Sequence, residues 1–459
     1  MPTTLTHLLL ALCLVLPHRT PLSRAEEVEE FYDSGEIHLR YEVNEEGQKH
    51  GTYFEFAEDG TLLVQARYAA DALDGRELRF FPSGKRHIVA NWQKGLLHGR
   101  FDRYYENGRS DLSTGYKKGV ESGKYTKSSE DGKWVMKASH KDGLLDGALK
   151  VTDHGKTLSD QKWKAGIPVE IDGIEPFPRK RDELLQELLA TWKAPEDASE
   201  TTPMDLERAA ALRRLQTYRA LCRLRYDDLE LVPEWNDLCE AASIVCRALG
   251  RITHTPEDPG TVEPEIYQKG VIGAKNSNLS MGVGLARSVD SYMDDSDQSN
   301  IARVGHRRWC LNPTLKRTGF GKADAFSAMW SMDSSGKGAR KLDAVLYPPP
   351  GYVPVEMFAR SAAWSIVPLS GSLPKESKIH ITLQPLGEFY LPEGQPLKVD
   401  TLHVAGSGVG AGPALIFRSD NLEVAPGKRY RCQVQYDGDR APTYDYLVEF
   451  VTEPELICR

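Results

Sequence analysis

Glycines 51, 75, 99, 123 and 147 stand 24 residues apart, and each follows a polar residue: His50, Asp74, His98, Ser122 and Asp146. A fixed period of this length is the signature of a repeat architecture, and it constrains the first third of the chain more than any composition does. Nine residues after each glycine comes a turn pair: Asp59-Gly60, Ser83-Gly84, Asn107-Gly108, Asp131-Gly132 and, one residue early, His154-Gly155. Glycine supplies the positive φ that tight β-turns demand. Aromatic residues such as Tyr53, Phe56, Phe80, Phe101, Tyr104 and Tyr125 lie between the opening glycine and the turn. Tyr68, Trp92, Tyr116, His140 and Trp163 recur in the strand after it. Each unit therefore reads as a β-hairpin. One hairpin is marginal in water, so stacked copies must share an apolar face, and an elongated single-layer sheet is predicted from about 30 to 167.

The unit written out, aromatic-x-x-Gly-x-x-x-Gly-x-aromatic from Trp92 to Phe101 with a downstream Asn-Gly or Asp-Gly, resembles the MORN repeat in the diverged form found in many bacterial proteins. The resemblance implies a scaffold for protein or envelope contact. Packing between hairpins accounts for the aromatics, and His140 and His154 read as solvent-facing or packed between hairpins. Acidic and basic residues alternate along the sheet without a cluster.

Residues 1–25 read as a secretion signal. Leu8 to Leu16 is an apolar run too short to span a bilayer, followed by Ser23-Arg24-Ala25 with small residues at both ends of the triplet. No Lys or Arg precedes the run, so an uncleaved anchor stays open; otherwise a secreted or periplasmic location follows. The formal net charge is −8, and losing residues 1–25 removes arginines and no acid, so nucleic acid is excluded as a partner class. The six cysteines beyond Cys13 suit a compartment where disulfides persist. Cys239 and Cys246 sit seven apart on one predicted helix, about 10 Å, too far to pair. A Cys432–Cys458 bond is expected, with Cys222 or Cys310 serving that helix.

Prolines 168, 176 and 178, a helical stretch near 181–193 and a polar segment from 194 to 203 read as a linker over 168–202. Helical periodicity then covers Met204 to Arg225. A second helix runs from Pro233, with an apolar stripe of Trp235, Leu238, Cys239, Ala242, Val245, Cys246 and Leu249, to Gly250.

Leu231-x-Pro233-x-Trp235-Asn236 opens that helix and His254 lies just past its end. Gly305-His306-Arg307-Arg308-Trp309 follows, then Leu311-Asn312-Pro313 and Gly319-Phe320-Gly321. Together these resemble the histidine signatures of the cysteine-rich secretory, antigen 5 and pathogenesis-related (CAP) superfamily. The resemblance implies an α/β/α sandwich over 203–361. It also implies a cleft in which His254 and His306 join a carboxylate, Asp295, placed by Val289, Tyr292 and Met293. A divalent metal such as zinc is the cofactor this set would take. The family's other acid is replaced here by Ser277, or by Lys275 in another alignment, which weakens acid/base chemistry more than metal binding. The acidic cluster Asp294, Asp295, Asp297 with Asn300 lacks the glycine and terminal glutamate of a calcium loop.

From about 362, alternating runs separated by turn residues (378–383, 397–404, 414–418, 429–434 and 446–452) predict a small all-β sandwich to 459. No Gly-x-Ser-x-Gly elbow occurs. A hydrolase or metal-dependent activity rests on His254, Asp295 and His306 alone. The favoured reading is a binding protein whose ligand is a protein, a lipid or a cell-envelope component.

Overall fold

The computed structural model describes residues 26–193, 202–338, 342–439 and 443–456. The secretion signal expected at 1–25 lies outside them, as do most of the polar segment 194–203 and Cys458. The chain is multidomain and mostly β, and it divides into two compact units at Ile167/Pro168.

The first unit is a large antiparallel hairpin sheet. It begins at Glu26–Phe31, a few residues before the predicted start. One repeat shows the logic. Gly75–Phe80 pairs with Arg86–Gln93 across a tight loop in which Gly84 N–H donates to Phe81 O at 2.8 Å. A second turn then follows at Lys94-Gly95, both left-handed, with φ of 50° and 77°. Two consecutive positive φ values define the hairpin turn whose twist matches that of its strands. Leu96–Leu97 comes next, before Gly99 opens the following unit.

Every opening glycine faces the recurrent aromatic or histidine: Gly51 opposite Tyr68, Gly75 opposite Trp92, Gly99 opposite Tyr116, Gly123 opposite His140 and Gly147 opposite Trp163. The missing side chain leaves room for the ring to cover the neighbouring strand. Successive rings touch, as Tyr53 does Tyr68 at 5.4 Å and Tyr125 does His140 at 5.2 Å. His154 is exposed beside Asp153. Ala66, Ala90, Thr114 and Ala138, again 24 apart, are buried at mid-strand opposite Tyr53, Glu77, Phe101 and Tyr125. Glu77 is 3 % exposed. Its carboxylate accepts from Arg79 Nε at 2.7 Å and from Trp92 Nε1 at 2.8 Å, which offsets the cost of burying it.

The second unit contains helices α1 (Arg181–Trp192), α2 (Pro203–Leu221), α3 (Pro233–Leu249), α4 (Pro264–Lys275), α5 (Leu285–Asp294) and α6 (Gly305–Cys310). Thr202 caps α2 by accepting from Asp205 N–H, and Gly250 ends α3 in the left-handed region. A three-stranded antiparallel sheet, ordered Ser277–Met281, Phe326–Trp330, Phe320–Ala323, is covered on both sides. Phe326, Ala328 and Trp330 pack with α3 and α4 through Cys239, Ala242, Cys246 and Ala274. Met329 packs with Val289, Tyr292 and Met293 of α5. Strand alternation thus hands one row of side chains to each helical layer. Gly321 brings its strand against α3: a Cβ there would lie 2.0 Å from Glu240 N.

Two four-stranded sheets complete the unit. Ala344–Tyr347, Trp364–Pro368, Ala414–Arg418 and Thr401–Ala405 form one; Gly351–Pro354, Tyr444–Val451, Arg429–Tyr436 and Ile379–Leu386 form the other. The division expected at 361/362 falls inside this structure. Ala344–Tyr347 and Gly351–Pro354 precede it, yet each supplies a strand to one sheet, and the proline run between them carries the chain from one sheet to the other.

The stretch predicted as a linker is also corrected, because 168–193 is integral to the second unit. Leu184 and Leu188 of α1 are buried in its core. Phe177 stacks on Tyr352 at 4.2 Å, and Arg179 donates to Ala220 O and Leu221 O at the end of α2. The five described cysteines, Cys222, Cys239, Cys246, Cys310 and Cys432, are buried and unpaired. The bridge expected for Cys222 or Cys310 with the α3 pair does not form; Cys432–Cys458 involves a residue outside the described set.

Candidate functional site

The short helix α6 carries His306, Arg307 and Arg308 in consecutive positions, so the three side chains leave it in different directions. Asp295 approaches from the end of α5, where it adopts the left-handed conformation with φ of 47°. Its Oδ2 accepts the backbone N–H of His306 at 3.0 Å and of Arg307 at 3.4 Å, and its Oδ1 accepts the His306 ring Nδ1–H at 2.9 Å. A carboxylate against unsatisfied N–H groups at a helix start is favourable in both hydrogen bonding and charge. The Asp295 side chain is 1 % exposed and that of His306 19 %. Tyr292 of α5 lies under the imidazole at 5.4 Å. With Nδ1 held by the carboxylate, the neutral ring keeps its lone pair on Nε2.

His254 has a different anchor. Its Nδ1 donates to Ala274 O at 2.8 Å, the last turn of α4, which again leaves Nε2 as the free nitrogen. Among the described residues, no hydrogen bond or ion pair joins His254 to Asp295 or His306, and no group of three or more His, Cys, Asp or Glu side chains is arranged to hold a metal. The structure thus joins Asp295 to His306, while His254 donates its hydrogen bond to the Ala274 carbonyl. Three N–H donors take three of the roughly four lone-pair sites of the Asp295 carboxylate, which therefore serves first to orient His306. Ser277, the position of the replaced acid, turns towards α3, with its Oγ 3.5 Å from Cys239 Sγ. Its neighbour Asn278 faces the other layer and donates to His306 O at 3.1 Å. Lys275 ends α4, on the exposed side. Asp297 accepts from Ser299 and Asn300 and Asp294 from Ser296, closing local turns, and Asp294 also accepts from the distant Ser361.

The two arginines of the motif do work that sequence reasoning missed. Arg307 is 1 % exposed and donates to Met293 O and Asp294 O at 2.7 Å, Ala363 O at 2.6 Å and Ser365 Oγ at 3.1 Å; its guanidinium also lies over the Tyr347 ring at 4.7 Å. Arg308 donates to Gly406 O at 2.7 Å and to Gly412 O. Burial pulls the Arg308 pKa down to about 10. From α2, Arg219 reaches Cys310 O, Asn312 O and Leu315 O. The motif thus fastens the helical layer to the β-sheets. The signal available in the sequence was the pair of adjacent arginines with no acid placed at helical spacing to neutralise them.

Beside the motif, a cleft of about 620 Å³ is lined by Trp309, Asn312, Pro313, Met332, Asp333 and Leu342 among others; His254, Asp295 and His306 are not in its wall. No family model matches the chain, and no curated protein matches it.

Proposed function

We propose that this chain is an exported binding protein, secreted or envelope-associated, in which a MORN-like repeat sheet displays contact surface beside a CAP-like layered domain and a β-sandwich. The observation that carries the reading is the periodicity of the sheet: the same side-chain positions return to the surface every 24 residues, which suits repeated contact with one extended partner. Helices on both faces of a short sheet, with His306 on a helix next to Asp295, support the CAP likeness. Export rests on the apolar run in residues 1–25. Among the described residues no helix is long and apolar enough to cross a membrane.

Mild crosslinking to envelope fractions, followed by capture of the full chain, tests the reading. Captured partners should be lost when residues 26–167 are removed and retained in His306→Gln. Capture that does not need residues 26–167 overturns it.

A second reading, hydrolysis at His306, draws on the one observation that favours it. Asp295 fixes Nδ1 and leaves Nε2 as the basic nitrogen, the arrangement of a general base. Turnover of a peptide or ester substrate that His306→Gln abolishes would establish this reading in place of binding.

A further inference from the structure

The second turn of four of the five repeats projects one large aliphatic side chain; the first, at Ala70-Asp71, is followed by the half-buried Ala72. Leu96, Val120 and Leu144 are 51, 45 and 50 % exposed, and Ile167, one residue early as the last repeat is, is 43 % exposed. Each occupies the same place, immediately after a turn pair: Lys94-Gly95, Lys118-Gly119, Asp142-Gly143 and Ala165-Gly166.

These side chains form one line rather than isolated spots. A Cβ placed on Gly119 would meet Leu96 Cδ2 at 3.6 Å, one on Gly143 would meet Val120 Cγ1 at 3.2 Å, and one on Gly166 would meet Leu144 Cδ2 at 3.3 Å. Leu96, Val120 and Leu144 therefore each lie on the turn glycine of the next repeat. The turns are stitched in the same order: Gly119 N–H donates to Leu97 O, Gly143 N–H to Glu121 O and Gly166 N–H to Leu145 O, at 2.8 to 2.9 Å. The result is a continuous apolar ridge along one margin of the sheet, held by backbone that a larger residue at the glycines would disturb.

The fully exposed charges beside the ridge are mostly basic, while the half-buried Asp74 and Asp146 turn in to accept from Lys94 N–H and Ala165 N–H, and Glu121 accepts from Tyr116. Lys94, Lys117, Lys118, Lys141 and Lys164 are exposed, against Asp142 alone within the three positions preceding each of the four aliphatic residues. A chain with net charge −8 thus carries a basic strip where its exposed aliphatic line runs. Spacing narrows the partner further. Each repeat advances the sheet by two strands, about 9.6 Å. Seven residues of α-helix rise about 10.5 Å. One apolar residue per heptad therefore keeps step with one rung per repeat, with a mismatch of about 1 Å per rung that long side chains absorb over three or four rungs.

We propose that the ridge from Leu96 to Ile167 is the docking line for an amphipathic α-helix of a partner protein, one aliphatic side chain per heptad on the ridge and acidic residues against the lysine row. The inference rests on the reading of the repeat sheet as an interaction scaffold and names the chemistry of what it holds. Four half-exposed aliphatic residues make a patch of only a few hundred Å², below the roughly 800 Å² per partner of a standard stable interface. The complex is accordingly weak, and salt screens it.

The probe is a fluorescein-labelled synthetic helix of four heptads, with leucine once per heptad and glutamates beside it. A second peptide carries lysines in place of the glutamates. In anisotropy titrations with the full chain, the glutamate peptide should bind saturably and the lysine peptide at least tenfold more weakly. The double variant Leu96→Ser/Leu144→Ser should weaken the glutamate peptide at least tenfold while its thermal melt stays that of the parent, since both positions are exposed. Equal binding of the two peptides, or no loss in the double variant, overturns the proposal. So does ridge-dependent binding to phosphatidylglycerol vesicles without peptide binding, or ridge-dependent self-association. If the peptides fail but envelope capture still requires residues 26–167, this inference falls alone; if capture does not require them, the scaffold reading falls with it.

Discussion

Arg307 donates its guanidinium to the carbonyl of Ala363 at 2.6 Å, across 56 residues of sequence. That contact, with those to Met293, Asp294 and Ser365, leaves the helices and the β-sheets of the second unit no independent existence. A buried charge compensated by carbonyl dipoles is stable only while every donor is placed, and lysine cannot reproduce a planar fork. Arg307→Met and Arg307→Lys should each destabilise the protein by about 3–5 kcal/mol, because carbonyls lose their donors or a point charge replaces the fork. Urea denaturation followed by tryptophan fluorescence measures it. A loss of under 1 kcal/mol in both would show that the joint is dispensable.

Asp295 and His306 form the second relationship with a measurable consequence. Asp295→Ala removes the acceptor for two backbone N–H groups and for the imidazole, and should cost about 1–3 kcal/mol. In the parent protein the neutral His306 ring should carry its proton on Nδ1, seen in the nitrogen shifts of a long-range heteronuclear NMR spectrum. In Asp295→Ala the proton should move to Nε2. An Nε2–H ring in the parent would remove the basis for any acid–base reading of this histidine.

The repeat sheet was legible because its period repeats every constraint several times: Gly75 opposite Trp92 and Gly123 opposite His140 state the same rule. The second turn, at Lys94-Gly95, was not read as a turn, because a lysine in the left-handed region carries no strong signature. The helices α1 to α3 followed from periodicity and capping. What escaped was long-range. Nothing local in Ala344–Tyr347 announces that it pairs with Trp364–Pro368. Nothing in Pro168 to Lys193 separates a linker from a segment packed under Leu184 and Leu188. At the site, Asp295 and His306 are both named by the resemblance to the CAP signatures, and the structure joins them by a hydrogen bond. The partner of His254 is the Ala274 carbonyl in the last turn of α4, a contact that the interval between the histidines does not announce.

The buried thiols give a pH test. Burial pushes Cys222, Cys239 and Cys432 from 9.0 to about 12, and Cys310 higher still. In the unfolded chain these thiols ionise near 9, so above that pH the folded state binds more protons and stability must fall. Their contribution is complete below about pH 9 and declines from there towards about pH 12. The melting temperature should therefore drop between pH 8 and pH 10.5, and less steeply in Cys222→Ala/Cys432→Ala. Ellman's reagent should not label these four thiols in the folded protein and should label them in denaturant. Prompt labelling without denaturant would contradict their burial.

Gly321 marks the closest approach of strand to helix in the second unit. Any Cβ there meets the backbone of Glu240 at 2.0 Å and of Cys239 at 2.4 Å, and backbone cannot swing aside as a side chain does. Gly321→Ala should cost about 3 kcal/mol or more by forcing α3 off the sheet. It should also dequench or shift the emission of the Trp235–Trp330 stack, whose rings are 4.8 Å apart. Parent-like stability in this variant would mean that α3 does not pack as tightly as described.

A cut within 194–201 should not separate the chain into two independent pieces, although it lies between helices assigned by sequence to a linker and to the next domain. Upstream of it, Leu184 and Leu188 are 2 and 0 % exposed in the core of the second unit. Arg179 holds the last carbonyls of α2, Trp192 lies over the Arg214 guanidinium at 5.0 Å, and Phe177 stacks on Tyr352. Burying two leucines alone contributes about 3–6 kcal/mol before any of these contacts is counted. A specific protease site placed in 194–201 and fully cleaved should yield two fragments that co-elute in gel filtration and part only in denaturant. Leu184→Asp/Leu188→Asp in the cleaved protein should release them under native conditions, because two carboxylates cannot enter that core. Separation of the parent fragments without denaturant would return 168–193 to the role of a linker.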